Sequence, residues 1–284
     1  MKVGMIGLGA MGLGMATNLA KAGMLKAVYN RTISKANALA VEFDVKVCGS
    51  PQQLAEHVDM VMICVAADED VLQMINAIAE TIKPNTIVVD MSTVSSETAK
   101  KAAAILLDKQ VQFLDAPVSG GVEGARKGAL VMMVGGDEET LESARPALEA
   151  MSSRIVYMGG TGSGQGTKAV NQIMAAGINQ AVTEALAFGQ TQGLAMDKVI
   201  DVISGGAAGN WFLQHRGRTM TQGTYEPGFK LALHHKDLKI CQKMAEQADI
   251  SIPLVDKTVA DYQQLMEQGY ADEDISALYR LKSL

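Results

Sequence analysis

A glycine-rich turn, Gly7-Leu8-Gly9-Ala10-Met11-Gly12, stands near the start of the chain, between an apolar run and a helical stretch. In this G-x-G-x-x-G spacing the first glycine permits a tight turn. The second lets backbone approach a pyrophosphate, and the third lets helix and strand pack closely. The anion would rest on the helix N-terminus, where open N–H groups and the helix dipole favour negative charge. The reading is a dinucleotide site, set against a purely structural glycine turn. The residues that follow the next apolar run are Asn30-Arg31-Thr32. NAD binders place Asp or Glu there to hold the ribose 2′-hydroxyl. No acid is present, and Arg31 suits a 2′-phosphate, so the pattern predicts NADP(H) in preference to NAD(H). The plainer reading of Arg31 is a solvated surface side chain.

Two further clusters carry polar chemistry. Asp115-Ala116-Pro117-Val118-Ser119-Gly120-Gly121 places a serine beside two glycines at the end of a strand-like run. Such a turn offers a hydroxyl and close-set backbone N–H groups to a carboxylate, or is only a tight hinge. Lys168 and Asn171 are three apart, and Gln172 is four from Lys168, so a helix would present all three on one face. A solvated helix face has the same composition. What separates Lys168 is its place just after a glycine-rich turn at a domain junction, where ligand clefts form. Lys236-Asp237 is a comparable pair on a later helical segment.

The elements that must position these residues are legible in outline. Strand-like runs at Lys2–Ile6, Lys26–Asn30, Met60–Val65, Thr86–Asp90, Gln112–Leu114, Leu130–Val134 and Ile155–Tyr157 alternate with helical segments. The helical segments are Met11–Ala22, Ser34–Phe43, Gln52–His57, Val71–Ile82 and Glu97–Leu107. This alternation predicts a parallel sheet covered on both faces. Beyond Gly159 the texture is helical: a long segment near 163–192, then Met196–Ser204, Phe229–Ala248 and Leu254–Gln268. The expectation is an α/β fold, an N-terminal Rossmann-type doubly wound sheet followed by an all-helical C-terminal domain. The expected boundaries are 1–161 for the NADP-binding domain, 162–192 for a long interdomain helix and 193–284 for the helical substrate and oligomerisation domain.

Composition narrows the function classes. With 25 Lys+Arg against 31 Asp+Glu and no basic run, the chain is not a nucleic-acid binder. Three dispersed cysteines without a CxxC fit a reduced, cytoplasmic protein. His57, His215, His234 and His235 lack metal-ligand spacing, so no metal is expected. Val3–Ala20 is uncharged, but five glycines and Thr17-Asn18 argue against a signal peptide or a membrane span.

Taken in order, these segments resemble one family. Gly7–Gly12 with Met15-Ala16 and Asn18-Leu19 comes first, then Asn30-Arg31-Thr32 and Asp90-Met91-Ser92-Thr93. Asp115–Ala125, Gly162-x-Gly164 with Lys168 and Asn171, and Lys236-Asp237-Leu238 complete the series. The chain is similar over essentially its whole length to β-hydroxyacid dehydrogenases. These include 3-hydroxyisobutyrate dehydrogenases and the tartronate semialdehyde and succinic semialdehyde (glyoxylate) reductases. The resemblance implies Lys168 as catalytic acid/base and Asn171 as the residue orienting it and the substrate. It implies Ser119, Gly120 and Gly121 on the substrate carboxylate, with Thr93, Trp211 and Lys236 also at the substrate. The cofactor set it implies is Gly7, Leu8, Gly9, Ala10, Met11, Gly12, Asn30, Arg31, Thr32, Val65, Thr93, Phe229 and Lys236.

Two positions depart from the pattern. Gln172 stands where many members have a second Asn, and Ser96 where many have Pro. The expected activity is NADPH-dependent reduction of a small anionic aldehyde acid. The alternatives are oxidative dehydrogenation of 3-hydroxyisobutyrate, serine or a related 3-hydroxy acid, and a non-catalytic NADP-binding module. Relatives lead us to expect a homodimer or homotetramer.

Overall fold

The computed structural model describes residues 1–282 of the chain. Among the described residues, 1–168 and 169–282 form two compact units. The first unit is built on nine strands: β1 (Val3–Ile6), β2 (Leu25–Tyr29), β3 (Lys46–Val47), β4 (Met60–Ile63), β5 (Ile87–Asp90), β6 (Gln112–Asp115), β7 (Val118–Ser119), β8 (Leu130–Gly136) and β9 (Ser152–Gly159). Its helices are α1 (Ala10–Lys21), α2 (Ile33–Glu42), α3 (Pro51–Ala55), α4 (Asp68–Ala79), α5 (Ser96–Leu107), α6 (Gly121–Lys127) and α7 (Glu138–Glu149).

The central strands read as unbroken apolar runs because both faces are covered. β1 (VGMI) and β4 (MVMI) are buried at every position. Side-chain alternation then divides them between two cores. Met5, Met60 and Met62 pack with Met15 and Leu19 of α1, Leu39 of α2 and Leu141 and Leu148 of α7. Ile6, Val61 and Ile63 pack on the other face with Leu54 of α3, Ile75 and Ile78 of α4 and Leu106 of α5.

Strand order is β3-β2-β1-β4-β5-β6-β8-β7, with β9 beside β8. The strands from β3 to β6 are parallel, as expected. The sheet is nevertheless mixed, because β8 runs antiparallel to both β6 and β7. The cause is the connection. A parallel return needs a crossover spanning the sheet, and α6 has only seven residues, roughly 10 Å of helix. The chain therefore re-enters the sheet at the end where it left. The turn that causes the reversal contains Ser119-Gly120-Gly121, with Gly120 at φ 130° and Gly121 at φ 63°, where side chains are disfavoured.

α6 lies hard against α1. Asn18 donates through Nδ2 to the Ala125 carbonyl at 2.7 Å, and a Cβ on Gly14 would stand 2.9 Å from the carbonyl carbon of Ala125.

The helix α8 (Ser163–Thr191) begins in the first unit and continues as the first helix of the second. The second unit is completed by α9 (Met196–Ser204), α10 (Trp211–Thr221), α11 (Leu231–Gln247), α12 (Pro253–Glu267) and a terminal 3-10 helix, Ile275–Leu281. Its core is Leu186, Ile200, Leu213, Leu231, Leu238, Val255, Tyr262 and Leu278 with their neighbours. Apart from an isolated bridge, Lys230 to Asp274, no strand occurs among its described residues. α11 begins two residues after Phe229, whose N–H instead donates to Asp274 Oδ2 at 3.0 Å.

Candidate active site

The three glycines of the first turn meet three different surroundings. Gly7 has φ +94°, and a Cβ there would sit 2.1 Å from the Cys64 carbonyl oxygen. A Cβ on Gly12 would sit 2.1 Å from the Gly7 carbonyl oxygen. A Cβ on Gly9 would meet nothing within 4 Å. Two glycines are thus required by packing, while the middle one faces open space at the α1 N-terminus. No side chain caps that helix, so its first N–H groups point where an anion would sit. These residues fit a dinucleotide pyrophosphate.

Asn30 braces this turn. Its Oδ1 accepts from the Leu8 N–H at 2.7 Å, and its Nδ2 donates to the Thr32 carbonyl at 2.9 Å. Thr32 is the residue before α2 and makes no side-chain cap. Arg31 projects outward with its side chain 89% exposed, and it pairs with Asp70 at 3.8 Å. So loose and exposed a pairing costs little to exchange for a phosphate.

The second group of loops follows β4, β5 and β6. Asp90 and Asp115 lie side by side at the ends of β5 and β6. Asp115 accepts from the Gly162 N–H at 2.7 Å and the Gln165 N–H at 2.9 Å. Burial pushes its carboxyl up, and those backbone bonds pull part of the way back. Asp90 is fully buried, and burial drives its carboxyl up to about 7 against the bonds from Ser92; Asp115 and Asp68 raise it further. Its Oδ1 accepts from the Ser92 N–H at 3.0 Å, while Oδ2 has no hydrogen-bond partner among the described residues. The Ser92 hydroxyl accepts from the Val65 N–H at 2.9 Å and so ties the loop after β4 to the loop carrying Thr93.

Lys168 ends this unit. It is buried, 8% exposed, and Nζ donates to the Val118 carbonyl at 2.9 Å. The structure therefore brings the one buried lysine of the first unit's described residues to the residue preceding Ser119.

In the second unit a hydrogen-bonded chain runs through the predicted polar residues. Asn171 Nδ2 donates to Gln172 Oε1 at 2.7 Å, and Gln172 Nε2 donates to Asp237 Oδ2 at 2.6 Å. Lys236 pairs with the other oxygen of Asp237 at 2.9 Å. His234, fully buried, contacts the Gln172 carbonyl at 3.2 Å and the Tyr262 hydroxyl at 3.1 Å. Trp211 opens α10 with its indole 61% exposed and stacked on His215 at 4.2 Å.

Comparison with known proteins gives the family. Residues 2–160 match the NAD binding domain of 6-phosphogluconate dehydrogenase. Residues 162–282 match the NAD-binding domain of NADP-dependent 3-hydroxyisobutyrate dehydrogenase. The chain belongs to the β-hydroxyacid dehydrogenase family. It is an NAD(P)-dependent oxidoreductase acting on CH–OH or aldehyde groups of small hydroxy-acid or aldehyde substrates.

It is 35% identical over 287 residues to the 2-hydroxy-3-oxopropionate reductase of Escherichia coli, covering 100% of this chain and 98% of the relative. It is 33% identical over 290 residues to the NAD-dependent L-serine dehydrogenase of Pseudomonas aeruginosa, covering 99% and 97%. Among solved structures, Mycobacterium tuberculosis 3-hydroxyisobutyrate dehydrogenase with L-serine superposes with a TM-score of 0.91 at 30% identity, over 99% of this chain and 98% of that one.

The two departures from the family pattern have local explanations. Gln172 carries one more methylene than the Asn of many members, and its amide reaches Asp237. Ser96 occupies the first helical position of α5, where Pro is favoured. It starts the helix and also donates through Oγ to the Gly162 carbonyl at 2.9 Å. Sequence reasoning missed Asp90, Ser92 and Gln165 as individual groups. Asp90 and Ser92 lay inside a motif valued for Thr93, and Gln165 lay inside a glycine-rich stretch. Among the described residues no group of three His, Cys, Asp or Glu side chains could hold a metal. No described helix is long and apolar enough to cross a membrane.

Proposed function

We propose that this oxidoreductase catalyses the reversible NAD(P)-dependent oxidation of a small 3-hydroxy acid, of the serine or 3-hydroxyisobutyrate class. The observation that carries the reading is the buried Lys168 side chain, its Nζ against the Val118 carbonyl, one residue from Ser119. A lysine held there takes the proton of a substrate hydroxyl as its neutral amine during oxidation, and as the resulting ammonium returns it to the alkoxide in reduction. The serine-bound relative and the L-serine dehydrogenase support the oxidative direction.

When bound, the nicotinamide dinucleotide accepts or supplies the hydride. The chain's own residues do the rest. The turn Gly7–Gly12, with Asn30 and Val65, positions the dinucleotide. The Ser119 hydroxyl and the Gly120 and Gly121 N–H groups hold the substrate carboxylate. Thr93 is assigned to the substrate and the nicotinamide, and Lys168 moves the proton. Within the second unit, Asn171 is assigned to orient substrate and lysine, Trp211 and Lys236 to the substrate, and Phe229 and Lys236 to the cofactor.

A second reading, reduction of a semialdehyde such as succinic or tartronate semialdehyde or glyoxylate, is favoured by Arg31. Its exposed guanidinium supports NADP(H), whose cellular pool is kept reduced. The two are separated by assaying L-serine and 3-hydroxyisobutyrate with both oxidised dinucleotides, and the aldehyde acids with both reduced ones. Faster turnover of a hydroxy acid supports the first reading; turnover of aldehyde acids alone overturns it.

On α8, Val170, Met174 and Phe188 are 59%, 61% and 66% exposed and lie on one side at spacings of 4 and 14 residues. This apolar stripe supports self-association, to be read as mass by light scattering.

A further inference from the structure

We propose that Gln165 is a positioning residue that sets Thr93 against Lys168. Gln165 is 1% exposed and lies in the first turn of α8, three residues before Lys168. Its side-chain amide spans Thr93: Nε2 donates to the Ser92 carbonyl at 2.8 Å, and Oε1 accepts from the Val94 N–H at 3.2 Å. The two bonds grip the backbone on either side of Thr93, as a neighbouring strand would. The main-chain N–H of the same residue donates to Asp115 Oδ2 at 2.9 Å, in the segment that leads into Val118 and Ser119.

One residue thus joins three segments to which the reaction is assigned. These are the Thr93 loop, the substrate loop after β6, and the helical turn that ends at Lys168. A side chain of this length is required. Asn would fall short of both backbone groups, and an apolar isostere would leave Ser92 O and Val94 N buried and unpaired. The amide cannot change charge, which suits a site whose titratable neighbours are Asp115, Asp90 and Lys168. A loop free to shift by about an ångström would cost turnover on the order of 100-fold without altering the phosphate turn.

The inference rests on the proposed roles of Thr93 and Lys168, and the test keeps the two apart. Wild type, Gln165→Leu, Gln165→Glu and Lys168→Ala are assayed on the hydroxy acids and aldehyde acids named above, with NADPH affinity measured by fluorescence. Gln165→Leu is expected to lower kcat about 10- to 100-fold while NADPH affinity stays within about threefold. Gln165→Glu is the conservative rescue. As a buried, protonated carboxylic acid it can still donate to Ser92 O and accept from Val94 N–H. As a carboxylate it faces Ser92 O without a proton. Its kcat is therefore expected near that of wild type at pH 6 and falling by pH 8.5, with NADPH affinity flat across that range.

Turnover of Gln165→Leu within threefold of wild type overturns the inference and leaves the proposed function standing. So does a loss of NADPH affinity in parallel with kcat, which marks a purely structural role. Undiminished turnover in Lys168→Ala, or no turnover by wild type on any of these substrates, overturns the proposed function and the inference with it.

Discussion

Replacing Asp90 by Asn tests the electrostatics of the loop cluster directly. Asp90 is fully buried, and its carboxyl is raised from 3.8 to about 7. The folded state therefore keeps a proton that the unfolded chain has released from about pH 4 upward. Unfolding releases that proton between about pH 4 and 7, so stability falls as pH rises through this window and levels off above it. Integrating the two titrations from pH 5 to pH 8 gives a loss of roughly 2–3 kcal/mol from this group.

An Asn at position 90 keeps an oxygen for the Ser92 N–H and cannot ionise. It also puts an amide N–H where Oδ2 has no partner, a cost of roughly 1–3 kcal/mol that does not vary with pH. The informative quantity is therefore the change with pH of the difference between variant and wild type. Thermal melts of both proteins, followed by circular dichroism from pH 5 to 8, are expected to diverge by about 5–10 °C in favour of the variant as pH rises. Titrating groups other than Asp115 and Asp68, which are coupled to Asp90, are common to both and cancel. Parallel melting curves across that range would refute a carboxyl held neutral by burial.

Other outcomes follow from the same geometry. Lys168→Ala is expected to bind NADPH as wild type does and to lose turnover by about 10²- to 10⁴-fold in steady-state assays. Arg31→Ala is expected to lose about 10- to 100-fold in its preference for NADPH over NADH, the worth of one charge-assisted bond; an unchanged ratio of kcat/KM values removes Arg31 from cofactor choice. Gly9→Ala has room for its methyl, so it should melt like wild type yet bind dinucleotide weakly. Gly12→Ala, whose methyl would overlap the Gly7 carbonyl oxygen, should lose about 1–3 kcal/mol of stability in denaturant melts. Gln172→Asn should break the bond to Asp237 and destabilise by about 1.5–3 kcal/mol, read as a lower urea midpoint.

The parts legible in the sequence were those whose cause is local. β1, β4 and β5 announce themselves as buried apolar runs, and the phosphate turn as a glycine spacing with its own mechanical reason. α7 and α10 were not foreseen. The stripe of Leu141, Ala144 and Leu148 is sparse and Pro146 interrupts it, while α10 mixes arginine, glycine and threonine among few apolar positions. The antiparallel strand β8 was equally hidden, because it depends on how far α6 can carry the chain. At the site, Ser119 and Lys168 stood out by residue type and neighbours. Gln165 did not, since its bond to Val94 crosses 71 residues of sequence and a glutamine among glycines has no pattern of its own. Asp90 needed the structure for a different reason: its character comes from burial, which a terminal strand residue does not advertise.

The brace between Asn30 and Leu8 constrains how this enzyme can be re-engineered. An acid at position 30 is the obvious route to NAD, since a carboxylate at the strand end holds the ribose hydroxyls. Asn30, however, spends one end of its amide on the Leu8 N–H and the other on the Thr32 carbonyl. An Asp would still accept from Leu8, but its second oxygen would face the Thr32 carbonyl with no proton between them. The coenzyme swap would thus loosen the loop that grips the diphosphate. Substitution is easier at Arg31, whose side chain stands in solvent beside Asp70 at 3.8 Å. Position 31 can thus be varied alone, whereas position 30 is entangled with loop mechanics.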